Sequence, residues 1–337
     1  MSERLSGLSE LSKQFATGAV LIALLLAAIY SLRAEQAPTP KAIFLIVDGI
    51  PADVIESTHT PFIDEIASTG GYTNAFVGGE VDGPTESPTV SAVGYNSLLT
   101  GTWANKHNVY NNSIENPDYQ YWDIFRIVKN HDTSLQTALF STWLDNRTRL
   151  LGDGLPDAGG IKLDYYFDGF ELDEERFPHD DESNHIKLID QLVSDEAERY
   201  IQEIGPDLSW VYLQYTDDVG HRYGDGEEMT AAVTLMDGNI GKIWQAVKHR
   251  QESMEEDWLI VITTDHGRDV ETGRSHGGQS ERERKIWIAT NSQFLQPNFY
   301  GTPAIVDVLP SIAKHLQLSI PEVIEAQLDG EAFIDKQ

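Results

Sequence analysis

The segment AIFLIVDG occupies residues 42–49 and joins six consecutive apolar side chains to Asp48 and Gly49. A strand that is exposed on one face alternates apolar with polar residues, and this run does not alternate. An unbroken apolar run that stops at a turn is typical of a strand buried on both faces, as in parallel sheets covered by helices. The segment therefore predicts an inner strand that ends at an acidic turn.

Three further apolar runs follow along the chain. Residues 210–215 end at Thr216-Asp217, residues 258–264 end at Asp265-His266-Gly267, and residues 286–289 form a shorter run. Helical patterns lie between the runs, at residues 60–68, 185–204, 227–249 and 304–316. This alternation predicts an α/β fold with a mostly parallel central sheet and helices on both faces. In such sheets ligands bind at the carboxyl ends of the strands.

The charge balance restricts the classes of partner. The 337 residues include 24 Lys and Arg against 54 Asp and Glu, for a net charge of −30, and no Cys. The basic residues form no cluster, so a nucleic-acid polymer is not expected as a partner. The absence of Cys excludes disulfides, thiolate metal sites and a thiol nucleophile. An anionic substrate would need positive charge from elsewhere, and bound metal cations are the expected source.

The N-terminal region predicts a membrane anchor or a signal segment. Residues 15–32 contain no charged side chain and are flanked by Lys13 and Arg33, and a Pro-containing linker follows up to residue 40. The run is long enough to cross a bilayer, and Arg4 and Lys13 favour an N-terminus on the cytoplasmic side. We expect residues 1–40 to anchor the chain in the membrane, with the remainder of the chain periplasmic or extracellular, or to be cleaved from a secreted protein. Residues 41–337 then form a single domain with an insertion near 145–182.

Polar residues with metal-binding chemistry follow the three strongest strands. They are Asp48, Asp217, His221, Asp265, His266 and His276, all expected in loops at one edge of the sheet. Taken singly, each is as well explained as a helix cap or a solvated side chain. Together, three carboxylates and three imidazoles exceed the needs of one tetrahedral ion and suit two divalent metal ions, most naturally zinc. Two-metal sites stabilise the attacking and leaving oxygens of phosphoryl transfer.

A nucleophile is expected in the segment PTVSAVGYNSLLTG, at residues 88–101. Its small and hydroxylated residues precede an apolar helical stretch, which places Ser91 at a helix N-terminus. A hydroxyl beside a metal ion is readily ionised, and backbone N–H groups at a helix start bind phosphate. The alternative interpretation is that Ser91 only caps the helix.

The order of these motifs resembles the alkaline phosphatase superfamily, and most closely its type I phosphodiesterase/nucleotide pyrophosphatase branch. The resemblance extends over residues 41–333. Residues 106–112 are similar to the H-G-I-x-D-N segment of that family, 216–224 to its P-D-x-x-G-H-x-Y-G motif, and 264–267 to its S-D-H-G-M motif.

The resemblance implies an alkaline-phosphatase-like fold and assigns roles to single residues. Asp217, His221 and His276 would bind one zinc ion, and Asp48, Asp265, His266 and the Ser91 oxygen would bind the other. Ser91 would attack phosphorus and form a phosphoseryl intermediate. The substrate would be a small phosphate ester, and a nucleotide is one candidate.

The sequence departs from the family pattern near the nucleophile. Where the family has a Thr nucleophile and an Asn three residues later, this chain has Ser91 and Gly94. Asn111 is therefore the candidate for the phosphoryl oxygen contact. Tyr212 stands where alkaline phosphatases proper carry the Glu of a third metal site, and no Arg can be assigned to clamp a monoester dianion. We therefore expect a phosphodiesterase.

Two other functions stay open: a phosphomonoesterase that uses the same site, and a membrane-anchored metal-binding protein without activity. A sulfatase is less favoured, because Ser91 is not followed by the Pro and Arg of the sulfatase motif. Four aromatic residues, Trp143, Tyr165, Tyr166 and Phe167, either stack on a nucleoside base or pack in the core or the insertion.

Overall fold

The structure, a computed structural model, describes residues 37–335. Residues 15–32, for which we predict a membrane anchor, lie outside this range. Within residues 37–335, no helix combines the length and the apolar character that crossing a bilayer requires. From Pro40 onward the described chain forms one unit.

Seven strands form the central sheet: β1 (Thr39–Val47), β2 (Gly71–Phe76), β3 (Thr137–Ser141), β4 (Tyr165–Phe167), β5 (Leu208–Leu213), β6 (Glu256–Thr263) and β7 (Lys285–Thr290). Their order across the sheet is β2-β7-β6-β1-β5-β3-β4. The pairs β1–β5, β5–β3 and β3–β4 are parallel, whereas β7 runs antiparallel to both β6 and β2. The predicted mostly parallel α/β fold is thereby confirmed.

Helices cover the sheet. The α-helices of the described chain are α1 (Ala52–Ser57), α2 (Pro61–Thr69), α3 (Ser91–Thr100), α4 (Ala104–His107), α5 (Ile124–His131), α6 (Asn184–Glu203), α7 (Tyr215–Tyr223), α8 (Glu227–Ser253), α9 (Glu281–Arg284), α10 (Val308–His315) and α11 (Glu322–Glu325). Short 3₁₀ or π turns lie at Asn146–Leu150, Pro156–Ala158, Phe170–Leu172, Pro297–Gly301 and Ile305–Asp307.

The side chains of β1 show why its apolar run is unbroken. Phe44 and Ile46 belong to one buried cluster, and Leu45 and Val47 belong to another on the opposite face of the sheet. Because both faces are covered, alternation with polar residues would leave polar groups buried without solvent. The strand is therefore held on two sides, and Asp48 at its end is fixed in position.

The segment at residues 145–182, predicted as an insertion, contributes to the sheet. Its residues Tyr165–Phe167 form β4, the edge strand beside β3. Tyr165 stacks on Tyr200 of α6 with 4.1 Å between ring centroids, and Arg147 lies 3.9 Å above the ring of Tyr166. Three of the four aromatic residues considered for base stacking are therefore part of the edge of the sheet.

Candidate active site

The ends of β1 and β6 meet at one edge of the sheet. The Gly49 N–H donates to Asp265 Oδ1 over 3.1 Å, and the Ile50 N–H donates to Thr264 Oγ1 over 3.0 Å. These bonds hold Asp48, which follows β1, beside Asp265 and His266, which follow β6. The structure therefore brings these residues together, as we expected from their positions at the ends of the strands.

Asp217 and His221 lie on α7, a helix, and the expectation that they occupy a loop is wrong. One helical turn separates the two residues, so their side chains share a face, with 3.3 Å between His221 Nε2 and Asp217 Oδ2. The start of the helix is fixed by buried Asp190, whose carboxylate accepts from the N–H groups of Gln214 and Tyr215. Helical geometry therefore explains the four-residue spacing.

Two sets of side chains could each hold a metal ion, with candidate ligand atoms within 4.8 Å of one another. One set is Asp217, His221 and His276, and the other is Asp48, Asp217 and His266. Asp265 lies beside the second set, with its Oδ2 3.2 Å from His266 Nε2. We call Asp217, His221 and His276 the outer group, and Asp48, Asp265 and His266 the inner group. The six Asp and His residues predicted as ligands thus lie together, with Asp217 reaching both groups.

The donor atoms fit cations. Asp48 Oδ1 and Asp265 Oδ2 are buried and have no hydrogen-bond partner, which is costly for a carboxylate unless a cation faces it. His266 Nδ1 lies 2.9 Å from the Gly267 carbonyl oxygen, and His276 Nδ1 lies 2.8 Å from the Thr89 carbonyl oxygen. Each Nδ1–H donates to its carbonyl, which leaves the Nε2 lone pair of each imidazole free for a metal.

Burial and crowding of like charge shift the pKa values of these groups. Burial, and then the neighbouring carboxylates Asp265 and Asp217, raise the pKa of Asp48 well above its usual range. Burial and then Asp217 raise the pKa of Asp265 to about 7. Burial also pushes the pKa of Asp217 upward, but the hydrogen bond to His221 and the positive charge of Arg268 hold it below its usual range. Three carboxylates in so small a volume favour the binding of positive charge.

Ser91 is the first residue of α3, as predicted, and its Oγ lies 3.4 Å from His266 Nε2. The hydroxyl therefore touches the inner group. Close packing explains the glycine at position 94, since a Cβ there would lie 2.7 Å from the Asp265 carbonyl oxygen. A side chain at position 94 would push α3 away from the inner group, so the Asn that the family has there cannot be accommodated in this arrangement.

The neighbouring Asn112, and not Asn111, lies beside Ser91, the predicted nucleophile. Asn112 Oδ1 accepts from the Ala92 N–H over 2.9 Å, whereas Asn111 Oδ1 accepts from the Ser113 N–H in an exposed turn. The family segment H-G-I-x-D-N already favours Asn112, because the Asn at the end of that segment aligns with position 112 and its Asp aligns with Asn111.

Two tyrosines and one arginine support the candidate ligands, and the sequence pattern predicts this supporting role for none of the three. Asp48 Oδ2 accepts from the hydroxyl of Tyr212 over 2.7 Å and from that of Tyr95. Both phenols are buried, and Tyr95 follows Ser91 by one helical turn. Arg268 donates to Asp217. The position of Tyr95 on the face of Ser91 was a usable signal for its place in the site.

A cavity of about 440 Å³ is lined by two of the candidate ligands, Asp48 of the inner group and Asp217 of the outer group. Near the ligands it is lined by Ser91, Asn112 and Tyr212, and farther out by Trp143, Glu171, Leu172, His179, His185 and Ile186. No Lys or Arg of the described chain is among the residues lining this cavity. Trp143, unlike the three aromatic residues of β4, lines the cavity where a substrate group could reach it.

Comparison with known proteins supports this interpretation. The model of the type I phosphodiesterase/nucleotide pyrophosphatase family matches residues 42–277. The chain is 34% identical over 121 residues to GPI ethanolamine phosphate transferase 3 of Eremothecium gossypii (31% of this chain, 11% of that protein). It is 31% identical over 157 residues to alkaline phosphatase PhoD of Zymomonas mobilis (42% and 24%).

A third relative is matched over more of the chain. Bis(5'-adenosyl)-triphosphatase enpp4 of Xenopus laevis is 23% identical over 248 residues, which cover 68% of this chain and 47% of that protein. The chain thus spans less than half the length of these three curated relatives. Among solved structures, the phosphonate monoester hydrolase of Agrobacterium radiobacter superposes with a TM-score of 0.56 at 14% identity, over 87% of this chain and 75% of that one. That similarity concerns the fold.

Proposed function

This chain belongs to the type I phosphodiesterase/nucleotide pyrophosphatase family, and we propose that it is a two-metal hydrolase of phosphoric diesters with Ser91 as its nucleophile. The observation that carries the proposal is the contact of Ser91 Oγ with His266 Nε2, at 3.4 Å, beside two buried and unpartnered carboxylate oxygens. A lone helix-capping serine would have no reason to face such a group of ligands.

The proposed ligands are those of the outer and inner groups, with zinc favoured by their nitrogen and oxygen atoms. Two divalent ions held there would supply Lewis-acid stabilisation of the phosphoryl oxygens and would lower the pKa of the Ser91 hydroxyl. The chain itself contributes the positions of the ligands. Gly49 and the two phenols fix the carboxylates of Asp265 and Asp48, and the backbone carbonyls behind His266 and His276 fix their rings.

In the proposed reaction, Ser91 Oγ forms a bond to phosphorus while the bond between phosphorus and the leaving alcohol breaks. Water then cleaves the phosphoseryl ester and restores the hydroxyl. Since Asn112 Oδ1 already accepts from Ala92, its Nδ2 is left to donate to a phosphoryl oxygen. Asn112 thereby takes the role that we expected for Asn111.

The preference for diesters follows from charge. A monoester dianion is usually clamped by Arg or Lys, and none of these side chains lines the cavity in the described chain. Arg268, which stands two residues after His266, is fully buried and bonded to Asp217. The outer part of the cavity, with Trp143, Leu172 and Ile186, offers apolar surface for the second organic group of a diester.

Parallel rate measurements on an aryl phosphate diester and the matching monoester, with zinc added, test this proposal. We expect the diester to react faster, and we expect a chelator to stop both reactions. Faster hydrolysis of the monoester would favour the second candidate, a phosphomonoesterase, which the similarity to alkaline phosphatase PhoD supports. Metal binding without turnover of either ester would mean an inactive metal-binding protein.

We also propose that residues 15–32 anchor the chain and that the catalytic domain lies outside the cytoplasm. The length of the uncharged run and the basic residues before it support this proposal. Protease added to spheroplasts, in which the outer envelope has been removed and the plasma membrane is intact, should digest the catalytic domain. A domain that stays protected and co-fractionates with the cytosol would contradict the proposed orientation.

A further inference from the structure

Arg268 directly follows the Asp265-His266-Gly267 motif and is completely buried. Burial of a guanidinium group is unfavourable unless its charge and its donors are satisfied. Arg268 does not line the cavity, so it has no contact with a substrate there. Substrate binding therefore does not explain why a charged side chain is buried at this position.

The guanidinium donates to acceptors on three separate segments. Its Nε donates to the Gly49 carbonyl oxygen over 2.9 Å, and its Nη1 donates to the Arg274 carbonyl oxygen over 3.2 Å. Its Nη2 donates to the Asp217 carbonyl oxygen over 2.8 Å and also to Asp217 Oδ1. Arg268 thus connects the loop after β1, the start of α7 and the loop that leads to His276.

Each of these segments carries a candidate metal ligand. Gly49 follows Asp48 of the inner group, Asp217 reaches both groups, and Arg274 stands two residues before His276 of the outer group. One side chain therefore fixes the relative positions of ligands that are far apart in sequence. Its planar fork can serve several acceptors at once, which the single ammonium of a lysine cannot do in the same way.

Gly220 on α7 makes room for this arrangement. A Cβ at position 220 would lie 2.2 Å from Arg268 Cζ. Glycine is a poor residue for the interior of a helix, and its place here is explained by the close packing of α7 against the guanidinium. The helix that carries Asp217 and His221 is thereby seated on Arg268.

We infer that Arg268 is a positioning residue, which holds Asp217 and the flanking ligand segments so that both groups can bind their ions. The inference rests on the proposed function, because it assumes that the two groups bind metal. An arginine that only stabilised the fold would affect unfolding but would not specifically affect metal affinity. These two roles can be separated by measurement.

The experiment uses the full-length chain and its R268M, R268K and R250M variants. Arg250 is the matched control, since it is also a buried arginine, it is paired with Glu256 at the start of β6, and it donates to the Gln202 carbonyl oxygen. Zinc affinity is measured by competition with a chromophoric chelator, and ligand geometry by the visible spectrum of the Co²⁺-loaded protein. Thermal unfolding without metal reports the stability of each variant.

We expect R268M to weaken zinc binding by about 10- to 100-fold at one or both sites and to alter the Co²⁺ spectrum. R268K should lie between R268M and the wild type, because it keeps the charge but loses the fork. R250M should unfold at a lower temperature with unchanged zinc affinities and an unchanged spectrum.

Wild-type affinities and spectrum in a folded R268M protein would overturn the inference, and so would an equal loss of affinity in R250M. If R268M does not fold, R268K decides by the same measurements, and a wild-type result in R268K overturns the inference. A wild-type chain that binds fewer than two ions would overturn the proposed metal site, and the inference with it. A wild-type chain that binds two ions, with unaffected variants, would overturn the inference alone.

Discussion

The inner and outer groups use the same chemistry but differ in their exposure to solvent. In the inner group, the side chains of His266 and Asp48 are 0% and 2% exposed. In the outer group, the side chain of His221 is 48% exposed. The inner group is held by two phenols, which fix Asp48, and by the Gly49 N–H, which fixes Asp265.

This difference in exposure indicates that the two groups have different roles in the proposed reaction. Ser91, the proposed nucleophile, touches the inner group, where rigid support and low solvent access strengthen electrostatic interactions. The outer group has a ligand that solvent reaches directly, so an ion there should exchange more readily. The inner group would then activate the Ser91 hydroxyl. The outer group would adjust as the oxygen of the leaving alcohol departs and the oxygen of the attacking water enters.

The largest effect is expected from Ser91→Ala, which removes the hydroxyl at the inner group. Turnover should fall by roughly 10⁴-fold or more, because Ser91 is the only Ser or Thr that lines the cavity in the described part of the chain. Zinc content and thermal unfolding should change little. Steady-state rates, together with mass spectrometry of acid-quenched enzyme, would test both the loss and the phosphate on the Ser91 peptide.

Ser97→Ala is the matched control on the same helix. Its hydroxyl is buried and donates to the Val93 carbonyl oxygen, away from the ligands. This variant should keep most of the activity. An active S91A enzyme, or phosphate trapped on another residue, would end the assignment of the nucleophile to the inner group.

A second effect separates the two groups by the rate at which they release metal. Chelation of the wild-type chain should remove zinc in two phases, with the outer ion lost first. His221→Ala should abolish the fast phase, and Asp265→Asn should abolish the slow one. Activity should fall in each case by more than the roughly 10- to 100-fold that loss of a supporting partner costs.

Metal release followed with a chromophoric chelator provides the measurement, with zinc content per chain as a check on stoichiometry. A single release phase in the wild type would remove the basis for distinguishing the groups. Loss of the slow phase in H221A would reverse their order.

Much of this edge of the sheet was predictable from sequence. Apolar runs such as residues 42–47 mark strands buried on both faces, and parallel strands bring their carboxyl ends to one edge. That reasoning is enough to bring Asp48 together with Asp265 and His266. It cannot find β2, whose sequence GYTNAF is half polar, or β4, which has only three residues.

The remaining errors concern details that depend on tertiary contacts. The short α7, with Gly220 in its middle, has no helical signal strong enough to outweigh the expectation of a loop. The choice between Asn111 and Asn112 depends on how one turn is oriented toward α3. The roles of Tyr95 and Arg268 depend on partners more than 40 residues away in sequence, and a hydrophobic pattern carries no information about such pairs.

The smallest effect is expected from Tyr212→Phe, which tests the support of the inner group alone. The hydroxyl of Tyr212 donates to Asp48 Oδ2 over 2.7 Å, and Tyr95 donates to the same oxygen. These two bonds occupy Oδ2, so the unpartnered Oδ1 is left for an ion.

Loss of one of the two donors should speed release of the inner ion by about tenfold. Release of the outer ion should not change, because within the described residues the Tyr212 hydroxyl bonds to Asp48 and Tyr95 and to none of the outer group. Tyr165→Phe, which removes a hydroxyl bonded to Glu196 at the edge of the sheet, is the control and should leave both phases unaltered. Since a single hydrogen bond contributes only about 1 kcal/mol net, thermal unfolding of Y212F should stay close to that of the wild type. An outer phase that accelerates as much as the inner one in Y212F would show that the two groups loosen together and are not supported separately.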